Sequence, residues 1–394
     1  MVNLLRHQGD ALPAGYAITE LSSLEALEAV RPLWEACQQH PLADFEFYAV
    51  ICRARSDRTQ PCVLVLWRDQ TPVALLAGRV DTEHKAIRIG YATLASLTVR
   101  QLRFIAGGAL GDLSEQHLAC FIHGVDRLMR AKGIAVAVFE GMTEGTAAHG
   151  HLRDAFGTWR RATVDGASRH WRMALSDTWE GFMKTRPAKH RYWLNRLPRM
   201  LQRQFPGRWH IDTFTAPETA TGFVDAAERV ASSAYHRSMG AGFCKNEEYT
   251  ERVKLEAARG RLRGYVLTID GHPRAFWYCV VYRDTLHLIA TAYDPAYKAF
   301  ELGTLLLMRV FKDHCGNGVR EVDFGLGDAD YKQRFGTDFV VEALVSVFAA
   351  TPKGLVLRCL YGLLHTLNQA GRRAVDGLGA TRRLKTLWRT RLIT

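Results

Sequence analysis

Residues 293–336 most restrict how this chain can fold, because they carry in turn the signals of a strand, a helix and a second strand. Asp294 precedes Pro295, and a residue before proline is pushed out of the helical region, so a strand is predicted to end there. A helix follows from Gly303 and ends at a Gly-Asn-Gly sequence that tolerates positive φ. The order predicts a strand–helix–strand crossover.

The second strand of this crossover carries acidic side chains. Val322 and Phe324 fall on one face and Glu321 and Asp323 on the other, which predicts a half-buried strand. The sequence Gly-Leu-Gly-Asp-Ala-Asp-Tyr-Lys follows at residues 325–332. At the crossover helix, a small-residue loop that leads into a helix exposes unpaired N–H groups, and these suit a pyrophosphate.

These residues together resemble the second half of proteins of the GNAT superfamily, in its branch of cellulose-biosynthesis or BioF-like acetyltransferases, which is related to FemAB-type transferases. The features in common are Tyr293-Asp294-Pro295, Gly303, Asp323-Phe324, Gly327-Asp328 and Tyr331-Lys332. The Q/R-x-x-G-x-G/A pyrophosphate loop of ordinary GNAT enzymes is absent, and residues 298–304 stand in its place.

The fold class expected from this resemblance is α+β, with tandem GNAT-type domains whose mixed central sheets are flanked by helices. A length of 394 residues predicts two domains. We expect a degenerate GNAT-like domain at 1–176, a basic helical connection at 177–210, a GNAT domain with the active site at 211–352 and a basic helical tail at 353–394. The first domain has a predicted glycine loop, Gly107-Gly108 with Gly111, but no Tyr-Lys turn after its last strand.

The chemistry expected is acyl transfer from acyl-CoA, a co-substrate, to an amine of a cell-envelope, polysaccharide or lipid precursor. Such a reaction needs a held donor, a neutral attacking amine and donors for the oxyanion. His287 and Asp323 are the candidate bases, each on the less apolar face of its strand. The match to the family turn implies that Tyr331 protonates the leaving thiolate and that Lys332 binds an anionic group of the acceptor.

Further site residues follow from the same resemblance. The residues expected to hold the donor are Thr291, Tyr293, Gly303, Thr304 and Leu305. Those expected near the acceptor are His236, Arg237 and Asp328. No metal is expected, because the eight cysteines are scattered without a C-x-x-C and no cluster has metal-ligand spacing. No Ser-His-Asp pattern or glycosidase-type carboxylate pair supports a hydrolase.

The net charge of +12 is concentrated in two places. Residues 184–210 contain eight Lys or Arg and no acid, and residues 353–394 contain nine against one acid. Such fields imply an anionic partner: nucleotide phosphates, tRNA or an anionic membrane. Two alternatives therefore stay open beside the acyl-CoA enzyme. One is a FemAB-like transferase that takes its acyl group from aminoacyl-tRNA, and the other is a non-catalytic binding protein with the same fold.

The tail combines apolar residues at helical spacing with basic ones, including Trp388 between Leu384 and Leu392. A basic helix of this kind can lie on an anionic bilayer, or it can dock on the protein itself. No run of eighteen apolar residues and no signal peptide is present. We expect a bacterial cytoplasmic protein that associates peripherally with the inner membrane.

Overall fold

The computed structural model describes residue 12 and residues 14–89, 92–233 and 242–377. These form two compact units, one up to Ser168 and again from Val341, the other from Arg169 to Val340. The predicted connection at 177–210 lies inside the second unit, and the predicted GNAT domain at 211–352 extends beyond Val340 into residues of the first unit. Each unit has a sheet flanked by helices, so the predicted α+β class is confirmed.

The strands of the described chain are β1 (Tyr16–Leu21), β2 (Thr59–Pro61), β3 (Val63–Arg68), β4 (Thr71–Ile89), β5 (Ala92–Gly111), β6 (Val136–Thr143), β7 (Arg161–Ala174), β8 (Trp209–Phe214), β9 (Leu262–Ile269), β10 (His272–Tyr282), β11 (Thr285–Tyr293), β12 (Glu321–Leu326) and β13 (Asp338–Phe348). Its helices are α1 (Leu24–Leu27), α2 (Arg31–Cys37), α3 (Phe45–Ala54), α4 (Glu115–Ala131), α5 (Ala147–Arg160), α6 (Trp179–Lys184), α7 (Ala188–Gln204), α8 (Ala220–Ala231), α9 (Glu247–Ala258), α10 (Leu302–His314), α11 (Asp330–Phe335) and α12 (Pro352–Gly377).

In the first unit the sheet order is β1-β3-β4-β5-β6-β13, with β2 on β4. The predicted glycine loop at residues 107–111 is wrong, because these residues lie in the long strand β5. The strand pairing shifts register between Leu76 and Gly78, so Gly107 and Gly108 fall in a bulge, while Gly111 pairs with Ala74. A Cβ on Gly111 would lie 2.4 Å from the carbonyl oxygen of Val73. The glycines therefore permit a close backbone approach inside the hairpin and do not cradle a ligand.

The second unit contains the predicted crossover. Its sheet order is β7-β12-β11-β10-β9-β8. Strands β11 and β12 pair in parallel, and helix α10 connects the end of the first to the start of the second. Helix α10 packs its leucines, Val310 and Phe311 into one hydrophobic core. Helices α8 and α9 cover a second core on β9 and β10.

Two helices of this unit lie next to the predicted site residues. Helix α7 runs unbroken from Ala188 to Gln204 with Pro198 inside it. Tyr331 and Lys332 lie on the short helix α11. None of the helices in the described part of the chain is long and apolar enough to cross a membrane.

Candidate active site

The strands β11 and β12 separate directly after one pair of residues. They pair at three positions, of which His287 opposite Asp323 is the last, although β11 continues to Tyr293 and β12 to Leu326. Two irregularities accompany the separation. The pairing of β10 with β11 shifts register at Ile289, and Gly325 on β12 has φ +68°. Bulges re-aim a strand next to functional sites, and here β11 beyond His287 keeps a backbone edge that β12 does not pair.

Asp323 is the most closely held polar side chain at this point. It is buried, its Oδ1 lies 2.6 Å from Nε2 of His170, and the same oxygen accepts the N–H of Gly325 at 2.7 Å. Burial alone would raise the pKa of Asp323, but the hydrogen bond from His170, the charges of His170 and His287 and the Gly325 N–H outweigh it. The pKa of Asp323 therefore lies well below its ordinary value, and the group is a carboxylate at neutral pH.

The structure brings the two predicted bases together. Nδ1 of His287 lies 3.6 Å from Oδ2 of Asp323, and both side chains are buried. A carboxylate beside an imidazole orients the ring and stabilises its protonated form, as a base requires. At 3.6 Å this contact is an ion-pair distance and not a hydrogen bond, and the catalytic roles of both groups stay predictions. His170 was missed, because its strand belongs to the predicted first domain and its partner lies far along the sequence.

Lys332 is buried and turned toward the backbone. Its Nζ donates to the carbonyl oxygens of Gly325 at 3.1 Å and Leu326 at 2.7 Å. Burial lowers the pKa of Lys332 to about 8, against the opposing charges of Asp323 and Asp328. This geometry favours a structural role, in which Lys332 holds the end of β12. The predicted binding of an anionic group of the acceptor stays a prediction.

Tyr331, the other residue of the predicted pair, packs differently from Lys332. Its ring meets Trp277 edge-on at 5.4 Å between centroids and lies 6.3 Å from Phe324. No residue of the described chain hydrogen-bonds its hydroxyl. Burial and the charge of Cys279 raise the pKa of Tyr331, so the phenol stays protonated at neutral pH. A protonated phenol fits the predicted role of general acid toward a thiolate.

The start of α10 carries a carboxylate in an unusual conformation. Glu301 caps the helix with φ +48° and ψ +46°, a left-handed conformation that non-glycine residues rarely adopt. Its carboxylate accepts Nε1–H of Trp193 at 3.2 Å and lies 3.6 Å from the guanidinium of Arg334. The N–H groups of Thr304 and Leu305, both predicted donors to a pyrophosphate, instead bond the carbonyl of Glu301. Among the described residues, none accepts from the N–H groups at positions 302 and 303.

The other predicted site residues have these surroundings. The Thr291 hydroxyl donates to the carbonyl of Phe276 at 2.8 Å, and a Cβ on Gly303 would lie 3.7 Å from the Tyr293 ring. Asp328 accepts Nε1–H of Trp171 at 2.9 Å and lies 3.9 Å from Arg169. His236 and Arg237 lie outside the described residues.

The crossover and the separated strands fall inside a segment that matches a known family. Residues 188–333 match the profile described as an acetyltransferase (GNAT) domain. A comparison with curated protein sequences gives no significant match.

Several solved structures are similar to this chain in fold. FemX is 9% identical with a TM-score of 0.57, over 84% of this chain and 98% of FemX. A conserved protein of unknown function from Bacteroides thetaiotaomicron VPI-5482 is 11% identical with a TM-score of 0.51, over 82% and 97%. A tandem GNAT protein from the clavulanic acid biosynthesis pathway is 13% identical with a TM-score of 0.48, over 85% and 99%. Residues 188–333 of this chain thus match a GNAT acetyltransferase domain, and the chain as a whole is similar in fold to FemX.

Proposed function

We propose that this chain is an N-acyltransferase that moves an acyl group from acyl-CoA to an amine of a cell-envelope, polysaccharide or lipid precursor. The observation that carries the proposal is the separation of β11 from β12 directly after His287 and Asp323. An unpaired strand edge can hold an extended pantetheine arm by backbone hydrogen bonds, in the manner of an added strand. The class of acceptor rests on the family resemblance alone.

In the proposed reaction the acceptor amine attacks the thioester carbonyl. The imidazole of His287 takes the proton that the amine gives up, and the Asp323 carboxylate stabilises the imidazolium. A C–N bond forms and the C–S bond breaks. The leaving thiolate takes a proton from the Tyr331 hydroxyl, and free CoA leaves as the thiol. The His287 imidazolium then releases its proton to solvent and the Tyr331 phenolate takes one from solvent, so both groups return to their starting forms.

A second donor has support from a separate observation. The Glu301 carboxylate stands at the start of α10, where the helix dipole would otherwise favour a phosphate. Residues 184–210, which include all of α7, carry eight Lys or Arg and no acid. Both features fit an aminoacyl-tRNA donor, which would spread its contacts over a basic surface and leave the helix start without a pyrophosphate.

Thermal denaturation with each donor distinguishes these candidates. We expect CoA and acyl-CoA to raise the melting temperature of the wild-type chain and not that of Gly303→Glu, because a negative side chain would stand at the helix start. Gly303→Ala is the matched control, since a Cβ there makes only an ordinary contact with the Tyr293 ring. Equal shifts in the wild type and Gly303→Glu would contradict the assignment.

Product assays complete the test. Thiol release with acyl-CoA and a panel of amines supports the first candidate. Acyl transfer from charged tRNA, together with a tRNA complex that weakens steeply with salt, supports the second. If a folded preparation yields neither product, the result favours the non-catalytic alternative.

A further inference from the structure

Helix α12 exposes an apolar face that no described residue covers. Val356, Leu363 and Leu355 are 67%, 58% and 46% exposed, and Leu367 and Cys359 share their side of the helix. With 3.6 residues per turn, these positions form one continuous stripe. The opposite side of the same helix is already used, because Leu357 packs with Phe348 in a core of the first unit. The exposed stripe is therefore additional to the face that anchors the helix.

The charged residues that this helix itself places beside the stripe have one sign. Lys353 and Arg358 flank it, and residues 343–375 contain no Asp or Glu. The helix also includes Arg372 and Arg373 in sequence. An exposed apolar stripe flanked by basic residues of the same helix is the pattern of a helix that lies in the interface of an anionic bilayer.

A tryptophan lies close to the same helix. The guanidinium of Arg358 donates to the carbonyl of Thr158 at 3.4 Å, and the next residue, Trp159, is 83% exposed. Tryptophan side chains concentrate at membrane–water interfaces, because one part of the ring is apolar and its N–H is polar. An indole that is 83% exposed, one residue from a contact with α12, adds to the surface that a bilayer would cover.

We propose that the apolar face of α12, with Trp159, docks on an anionic lipid surface. A second copy of the chain would bring equal positive charges together. The chain's own sequence after residue 377 contains five Lys or Arg and no acid, so it has the wrong sign to neutralise this face. Lipid phosphates supply the opposite charge, and the acyl region takes the leucines. This docking is independent of the reaction proposed above, and it places the membrane contact on α12, within the predicted basic tail at 353–394.

Vesicle sedimentation of the full chain tests the proposal. We expect binding to phosphatidylglycerol-containing vesicles at low salt and at least tenfold weaker binding to phosphatidylcholine alone. The double variant Val356→Asp/Leu363→Asp should bind the anionic vesicles at least tenfold more weakly, and it should fold, because both positions are exposed. Leu113→Asp is the matched control, an exposed apolar residue outside this helix, and should bind like the wild type.

Labelling of Cys359 gives a second readout. Cys359 is exposed on the stripe, so anionic vesicles should slow its reaction with a membrane-impermeant maleimide at least fivefold. The Cys359→Ser variant measures the labelling of the other cysteines. Equal vesicle binding by the double variant and Leu113→Asp would overturn the proposal. So would unchanged Cys359 labelling, or a concentration-dependent dimer that the double variant abolishes, since the last result assigns the face to a second copy.

Discussion

Nε2 of His170 on β7 lies 2.6 Å from Oδ1 of Asp323 on β12, while His287 faces the other oxygen of the same carboxylate. The Gly325 N–H bonds Oδ1 as well, and Gly325 reaches that position through a positive φ. Asp323 is thus held from several sides at the point where β11 and β12 separate. Two imidazoles therefore lie against one carboxylate, and the proposed reaction gives the exchange of a proton to His287 alone.

The first prediction assigns different roles to the two histidines. His287→Gln should lower kcat by about 10²–10⁴-fold, because glutamine cannot take up a proton in the transition state. His170→Gln should lower kcat by about tenfold or less, because an amide can still donate to Asp323. Steady-state kinetics on variants with matched melting temperatures provide the measurement. Equal losses in the two variants would mean that the imidazoles act as one structural unit.

The second prediction concerns the hydroxyl of Tyr331. No described group bonds this hydroxyl, so Tyr331→Phe should change the free energy of unfolding by less than about 0.5 kcal/mol. If the hydroxyl protonates the leaving thiolate, kcat should fall by about 10²-fold or more. Poorer thiol leaving groups should suffer a larger loss than better ones. A variant that keeps its turnover with every thioester would remove Tyr331 from the chemistry.

The crossover was predictable, because local signals specify it. Asp294-Pro295 ends β11, the glycines at 316–318 end α10, and the two-residue period marks β12. A crossover between parallel strands then places β12 beside β11, which brought His287 and Asp323 into one hypothesis. Their direct pairing is what the structure adds.

His170 was not predictable in the same way. It reaches Asp323 through antiparallel pairing of β7 with β12, between residues 153 positions apart in sequence. The bulge at Ile289 and the left-handed Glu301 also depend on tertiary packing, since local propensity disfavours positive φ at glutamate. The glycine loop at 107–111 was predicted wrongly for a related reason. In sequence, a glycine that permits close packing of strands cannot be told from a glycine in a loop.

The third prediction uses the titration of Lys332. Its folded pKa of about 8 is below the unfolded value of about 10.4, so the unfolded chain binds more protons between these values. Stability should therefore rise with pH in that window, whereas the full cost of the buried ammonium is present below pH 8. Urea denaturation of the wild type and Lys332→Met at pH 7.5 and pH 10 isolates this group. Between pH 7.5 and pH 10, the free energy of unfolding of the wild type should rise by on the order of 2 kcal/mol relative to that of the variant. A constant difference would show that the Lys332 pKa is not lowered.

The fourth prediction concerns Glu301 and the choice of donor. At φ +48° a β-carbon strains the backbone by about 1 kcal/mol, and a glycine at position 301 avoids this strain. The same substitution removes the side-chain contacts with Trp193 and Arg334. Removing the carboxylate also relieves repulsion of an anion at the start of α10, an effect of about 0.3–1 kcal/mol for an exposed site. Glu301→Gly should therefore bind CoA about two- to fivefold more tightly than the wild type, measured by isothermal titration calorimetry.

Glu301→Gln separates charge from backbone, because it keeps the β-carbon and the amide can still accept from Trp193. If charge alone matters, the glutamine variant should match the glycine variant. If the loop must also relax, only glycine should gain affinity. Weaker CoA binding in both variants would mean that Glu301 supports the pyrophosphate site through Trp193 and Arg334. Unchanged binding in both, with intact transfer from aminoacyl-tRNA, would favour the second donor, because α10 would then have no pyrophosphate to receive.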